Sequence, residues 1–206
     1  MKRIFAIVMA AVMALCMTAC GGQTAPQEVE VTSDVLVRSD FDGLDRFTNS
    51  FTGVAVRMPG DWYVATDSEL VALMYGGEVT SGEFSNWTAA DFAKQQIVAD
   101  FIVQDLANGN NMNVMFENMA ASGDVSVQEY IGMLEQALVA LGSAVTEKGT
   151  VQLCGMDFDT VITEGTTNGV PMVQYQAVRR FGDWMMIVTA TDMTGMGESS
   201  FWMMFE

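Results

Sequence analysis

Trp184-Met185-Met186-Ile187-Val188 sets five apolar residues in succession directly after the turn Phe181-Gly182-Asp183. A short apolar run bounded by a turn reads as a strand, and a strand apolar at every position has to be covered on both faces. The chain must therefore supply a layer on each side of a sheet. Three strands lead into this one. Val145, Val151 and Leu153 share one face of the first, and Met156, Phe158 and Ile162 share one face of the second. Asn168-Gly169 then turns the chain into Val173, Tyr175 and Ala177. Four successive strands joined by tight turns form a meander, which is antiparallel.

Helix signals are fewer. Ser126-Val127-Gln128-Glu129 forms a capping box, with Val125 and Tyr130 placed as a hydrophobic staple. Val127, Tyr130, Ile131, Leu134, Ala137, Leu138 and Leu141 then fall on one helical face, and Gly142 ends the helix. A second box, Thr66 to Glu69, starts a short helix through Leu70, Leu73 and Met74 that stops at Gly76-Gly77. Residues 78–97 read as a loop followed by a helix near 89–97. Strand character marks 45–64, where Phe47, Phe51, Val54, Val56 and Met58 lead to Pro59. Residues 100–106 and 112–119 form a hairpin around Asn108-Gly109-Asn110-Asn111. A helix of about ten residues closes the pattern. The expected fold class is α+β, an antiparallel sheet covered by helices.

The chain's 206 residues carry 26 acidic side chains against 9 basic ones, a net charge of −17, and no histidine. Without histidine there is no Ser-His-Asp triad, Cys-His dyad or His-ligated metal site. The negative charge argues against nucleic acid, whose phosphates need clustered Lys and Arg. Glycine-rich phosphate loops, Walker patterns and nucleophile elbows are missing too. The expectation is a protein that is not an enzyme and uses no cofactor or metal.

Lys2 and Arg3 precede an apolar run of 12 residues, Ile4 to Leu15. A membrane-spanning helix needs ~20 apolar residues, so this run is too short to span and fits the core of a signal peptide. Met17-Thr18-Ala19-Cys20 follows and resembles the lipobox of bacterial lipoproteins, with Met17 standing where leucine is usual. The resemblance implies cleavage before Cys20, a thioether from Cys20 to diacylglycerol, and often an acylated new N-terminus. An ordinary secretory signal cut after Ala19, or a signal anchor, is the alternative. Several acyl chains hold a protein stably at a bilayer where one does not. The expected partner is therefore the cell membrane, on its extracytoplasmic face. Residues 1–19 then form the signal peptide, 20–44 a lipidated N-terminus and flexible acidic tether, and 45–206 a single globular domain. Cys154 is left as the mature chain's lone unmodified cysteine and reads as a small buried hydrophobe rather than a reactive thiol. Losing Lys2 and Arg3 leaves 7 basic residues against 26 acidic ones, a net charge of −19.

Phe51-Thr52-Gly53-Val54-Ala55-Val56-Arg57-Met58-Pro59-Gly60-Asp61-Trp62 resembles the opening of PsbP-like domains, in which an extended segment ends in Pro-x-x-Trp or a close variant. The element order agrees over about 160 residues of the mature chain. The resemblance implies an α/β/α sandwich and an exported, non-catalytic role, and it supplies no functional residues, because one fold hosts unrelated functions.

The remaining candidates are weaker. Asp40-Phe41-Asp42-Gly43-Leu44-Asp45 is dense in acid, but an EF-hand loop wants glycine at its sixth position and Glu at its twelfth. Here glycine is fourth and the twelfth residue is Phe51, so a solvated tether is the expectation. Of 18 methionines, 14 remain in the mature chain. Met193 and Met196 could pair on Cu(I), but most methionines occupy core positions. Glu117, Glu135 and Glu164 could in principle supply an acid–base pair. In Phe201-Trp202-Met203-Met204-Phe205 a short helix packs one face, which leaves Trp202 and Met203 as a possible partner-docking patch. The functional expectation is a lipid-anchored extracytoplasmic binding or accessory domain that engages another envelope protein. A small-ligand receptor on the same anchor is the alternative, followed by a carboxylate- or metal-dependent hydrolase.

Overall fold

The computed structural model describes residues 31–206 apart from 32, 76–78 and 168. The expected signal peptide, Cys20 and the Gly76-Gly77 helix stop lie outside the described residues. Ten strands are present among them: β1 (Asp40–Phe41), β2 (Arg46–Asn49), β3 (Val54–Arg57), β4 (Tyr63–Val64), β5 (Ile97–Gln104), β6 (Asn111–Asn118), β7 (Ala144–Leu153), β8 (Met156–Thr167), β9 (Val170–Phe181) and β10 (Trp184–Asp192). The helices are short, with one exception: α1 (Asp67–Tyr75), α2 (Ser81–Phe84), α3 (Ala89–Phe92), α4 (Val127–Ala140) and α5 (Glu198–Trp202). A seven-stranded sheet runs in the order β4-β5-β6-β10-β9-β8-β7, and β1-β2-β3 form a second sheet. Every pairing in both is antiparallel.

The apolar run beginning at Trp184 is β10, flanked by β6 and β9 and buried along its whole length. Its side chains alternate between two cores, as a period of two requires. Met186, Val188 and Ala190 join Val114, Phe116, Ala177, Val56, Met58 and Phe201 on one face. Met185 and Ile187 join Met115, Val178, Leu70, Tyr130, Leu134 and Leu138 on the other.

Helices α1, α2 and α4 cover that second face. The expectation of an antiparallel sheet holds, but the expectation of helices as its cover needs correction. The first face lies under the β1-β2-β3 sheet and α5, so the fold is sheet-dominated. Asn49 Oδ1 accepts from the N–H groups of Phe51 and Thr52, and Gly53 takes a φ of +73°. That turn folds 46–57 into a hairpin that packs over the first face instead of joining the large sheet.

The tether also proves shorter than expected, since part of 20–44 belongs to the domain. Leu36 is 3% exposed and sits in the first core. Ser39 donates from its N–H and hydroxyl to the buried Asp100 carboxylate, and the Arg38 guanidinium donates to the Asp100 carbonyl and pairs with Asp67 at 2.8 Å. Burial pushes the Asp100 carboxyl up, and the Ser39 donors and the Arg38 charge partly offset it. A carboxylate interior to β5 needs such partners, and the stretch expected to be solvated supplies them.

Residues 78–97 resolve into two single-turn helices, each opened by its own capping box, Thr80 with Glu83 and Thr88 with Asp91. The last helix has five residues rather than ten. Asp192 draws the N–H groups of Thr194, Gly195, Met196 and Gly197 onto its carboxylate, which commits those residues to a loop. After α5 the chain pairs Phe205 with Val56, and Glu206 closes an ion cluster with Arg57 (2.6 Å) and Arg46 (2.7 Å), while Arg57 also reaches Asp45 (2.7 Å). Burial alone would raise the Glu206 carboxyl, but the two guanidinium donors outweigh it and hold the group below its ordinary 4.5. A depressed carboxyl adds stability that is complete above its unfolded value and disappears as pH falls through the folded one. Glu206→Gln should therefore lower the unfolding free energy by about 2 kcal/mol at pH 7, between the exposed and buried limits for broken ion pairs. Urea denaturation at pH 7 and pH 3 checks this: the difference between variant and wild type should shrink at the lower pH.

Candidate functional site

The helix-side face of the large sheet carries two features that its apolar middle does not explain. At one end of the face, β6 delivers Glu117. Two-residue alternation puts Glu117 on the same side as Met115, and its backbone partner on β10 is Met185. The capping box at Ser126 starts α4 so that Tyr130 swings over the same spot. Tyr130 Oη donates to Glu117 Oε2 at 2.8 Å. Both residues line an open cavity of about 600 Å³, together with Gln96, Asn118, Ser122 and Met133.

Glu117 is 6% exposed on the floor of this groove. Burial pushes its carboxyl up, and hydrogen bonds from Tyr130 and Gln96 pull part of the way back. The Tyr130 phenol is pushed well above its ordinary value by burial and by the Glu117 charge. Among the described residues no Lys or Arg forms an ion pair with Glu117. Lys94 stands on the rim, but its ammonium pairs with Asp91 at 2.6 Å. Such a carboxyl either keeps its proton or attracts a cation.

At the other end the same face turns polar. Asn111 and Asn113 on β6, Thr189 and Thr191 on β10, Gln174 and Gln176 on β9, Thr163 on β8 and Gln104 on β5 are all buried. They stand in register: Asn113 faces Thr189, which faces Gln176, while Asn111 faces Gln104 and Thr191. Gln174 Nε2 donates to Thr191. Among the described residues, Gln104 Nε2, Asn111 Oδ1, Asn113 Oδ1, Gln176 Oε1 and Thr189 Oγ1 have no hydrogen-bond partner. Each such atom costs about 1–3 kcal/mol when left buried and unpaired, so a layer of five is a large charge against any fold that gains nothing from it.

The residues singled out from sequence separate. Trp202 is buried at 8% exposure, stacks edge-on with Phe205 and donates from Nε1 to Glu198 at 2.7 Å, whereas Met203 is 77% exposed. The expected Trp202–Met203 docking patch is therefore corrected to a core indole and a single exposed methionine. A five-residue helix followed by a tight turn rotates Trp202 inward with Phe201. Cys154, in the β7–β8 turn at a φ of +51°, is half-buried against the Ala55 backbone, and burial pushes its thiol up. Asp42 accepts the N–H groups of Leu44, Asp45 and Arg46, so the acidic stretch is a structured turn rather than a tether. Met196 Sδ accepts from Asn110, and Met112, Met115, Met185, Met186 and Met204 fill the cores. Glu135 pairs with Lys148 on β7, Glu164 lies on β8, and neither lines the Glu117 cavity. Sequence reasoning named Glu117 but missed its partner. The recoverable signal was the staple position of Tyr130, which points back at the sheet.

No protein-family model matches the chain, and no curated protein matches it. Among solved structures, the chain is similar to PA94 from Pseudomonas aeruginosa, a protein of unknown function. Identity is 14%, covering 52% of this chain and 71% of that one, with a TM-score of 0.36. A likeness at that level carries no argument about function.

An acid whose folded value is raised gives stability that is complete below its unfolded value and is lost as pH rises through the folded one. Glu117→Gln keeps an acceptor for Tyr130 without the charge. It should raise Tm by about 2–4 °C at pH 7, the equivalent of about 1 kcal/mol in a domain of this size. Thermal melts at pH 7 and pH 4 test this, and the gain should close at pH 4.

Proposed function

We propose that this chain is a lipid-anchored bacterial lipoprotein, held by Cys20 on the extracytoplasmic face of the cell membrane, whose domain binds rather than catalyses. The sequence Met17-Thr18-Ala19-Cys20 behind a 12-residue apolar run supports the anchor. In its finer form the domain is an α/β/α sandwich of PsbP-like type, with the β1-β2-β3 sheet and α5 together forming the outer layer opposite α1 and α4. The observation that carries the binding role is the buried Glu117 on the floor of the groove, which has no ion-pair partner among the described residues. A site of that kind complements a positively charged group, and a chain of net charge −17 concentrates cations around it.

The groove favours the small-ligand reading over docking through Trp202 and Met203, since Trp202 is engaged in the core. As an envelope accessory protein the domain would present this groove to a protonated amine. Two measurements test the proposal. Cys20→Ala should move the protein from the membrane fraction to the soluble one after complete signal cleavage, and retention in the membrane would defeat lipid anchoring. Millimolar alkylamines should raise the Tm of wild type and leave that of Glu117→Gln unmoved, whereas alkyl carboxylates of equal length should shift neither.

A further inference from the structure

We infer that the buried polar layer over β5, β6, β10, β9 and β8 is a second binding site, built for an uncharged, hydroxyl-rich ligand of the size of a mono- or disaccharide. This inference concerns the opposite end of the sheet face from Glu117 and does not depend on the amine site.

Position is the first support. On this face α1 lies against β5, and α4 lies against β7, β8 and β9. Beneath α4 the central strands β6 and β10 carry Met115, Met185 and Ile187, and further along the same face they carry Asn111, Asn113, Thr189 and Thr191. On the opposite face the same strands present Met112, Val114, Val188 and Ala190. The chain can therefore fill the middle of β6 and β10 with apolar residues, and on the helix-side face it departs from this at Asn111, Asn113, Thr189, Thr191 and Glu117.

Chemistry is the second. The side chains named in the layer are amides and hydroxyls, with no charged group among them. A charged ligand placed there would lose its hydration with no counter-charge. An apolar ligand would leave Asn111 Oδ1, Asn113 Oδ1, Gln176 Oε1, Thr189 Oγ1 and Gln104 Nε2 as unpartnered as they are now. A hydroxyl both donates and accepts, so it satisfies an amide oxygen, an amide nitrogen or a threonine.

Spacing is the third. Asn113, Thr189 and Gln176 stand on three adjacent strands in one row, and Asn111 and Gln104 stand one row along. With strands ~4.8 Å apart and like-facing residues ~6.7 Å apart along a strand, the residues bearing these atoms span four strands and two rows, roughly 14 by 7 Å, the footprint of two sugar rings.

The test uses the full lipidated chain in a polyoxyethylene detergent, which has no sugar headgroup, with glucose, N-acetylglucosamine and maltose as probes. Thr189→Val and Gln176→Met keep the approximate shape of each side chain; the first removes the unpartnered hydroxyl, the second the unpartnered Oε1 together with Nε2. The expected result is that at least one probe at millimolar concentration raises the wild-type Tm by several degrees, with saturable heat in calorimetry. Both variants should melt higher than wild type without ligand and lose most of the ligand-dependent rise. Absence of a shift with all three probes would overturn the inference and leave the layer as a site of ordered water. So would a shift that survives in both variants, or a loss of unliganded stability in both, since the latter would show that the atoms already have partners. None of these outcomes bears on Glu117→Gln and the alkylamines, so the two sites stand or fall separately.

Discussion

The fold depends on β10 being apolar on both sides. A strand of that kind is stable only when it is paired on both edges and covered above and below. Each of those four demands recruits a different part of the chain. β6 and β9 take the edges, the 46–57 hairpin with α5 takes one face, and α1, α2 and α4 take the other. Residues more than a hundred positions apart meet through it, as Val56 and Val188 do in the first core. The ion cluster of Arg46, Arg57, Asp45 and Glu206 lies on the outer side of that arrangement and fastens the small sheet to the segment following α5. It secures a layer whose position apolar burial has already decided, since about 25 cal/mol is gained per Å² of apolar surface removed from water.

That organisation makes the two polar ends of the helix-side face informative. β10 runs apolar from Trp184 to Val188 and then changes, with Thr189, Thr191 and Asp192 all buried. Asp192 has a structural task, gathering four backbone N–H groups from the loop before α5. Thr189 has none, because its hydroxyl has no partner. The same contrast holds for the buried acids. Asp100 holds the 33–41 segment in place through Ser39 and Arg38, whereas among the described residues Glu117 is met by Tyr130 and Gln96 and opens onto a groove. Polar groups that fix the fold and polar groups that weaken it are thus distinguishable by where their hydrogen bonds go.

Much of the sheet was legible because its signals are local. The meander, the β5–β6 hairpin, the two capping boxes at Thr66 and Ser126, and the apolar stripe of α4 follow from spacings of two, three and four residues. What was not legible depends on partners distant in sequence. Nothing near Leu36 or Ser39 announces a contact with Asp100, 61 residues on, so the stretch reads as acidic and solvated. Trp202 reads as half of a surface patch because the loop around Asp192, which shortens the helix and turns the indole inward, uses backbone groups that composition does not reveal. The helices were over-assigned as a cover for a similar reason: the 46–57 stretch has strand character in isolation, but its place across the sheet rests on packing with distant residues such as Phe116, Val188 and Phe201.

The site was partly visible, and the way it was missed is instructive. Asn111-x-Asn113, Gln174-x-Gln176 and Thr189-x-Thr191 are each a pair of polar residues two apart in otherwise apolar strands. Taken singly, each looks like an ordinary half-exposed strand edge. Register converts them into one surface, because β6, β10 and β9 are neighbours and the three pairs fall in the same two rows. Strands β6 and β10 are separated by more than sixty residues in the chain, including all of α4 and the β7–β9 meander. An accidental polar residue on one strand would have no reason to face another accidental one across such a gap. The coincidence of three pairs in two rows is the strongest indication that this face of the sheet is under a demand other than stability.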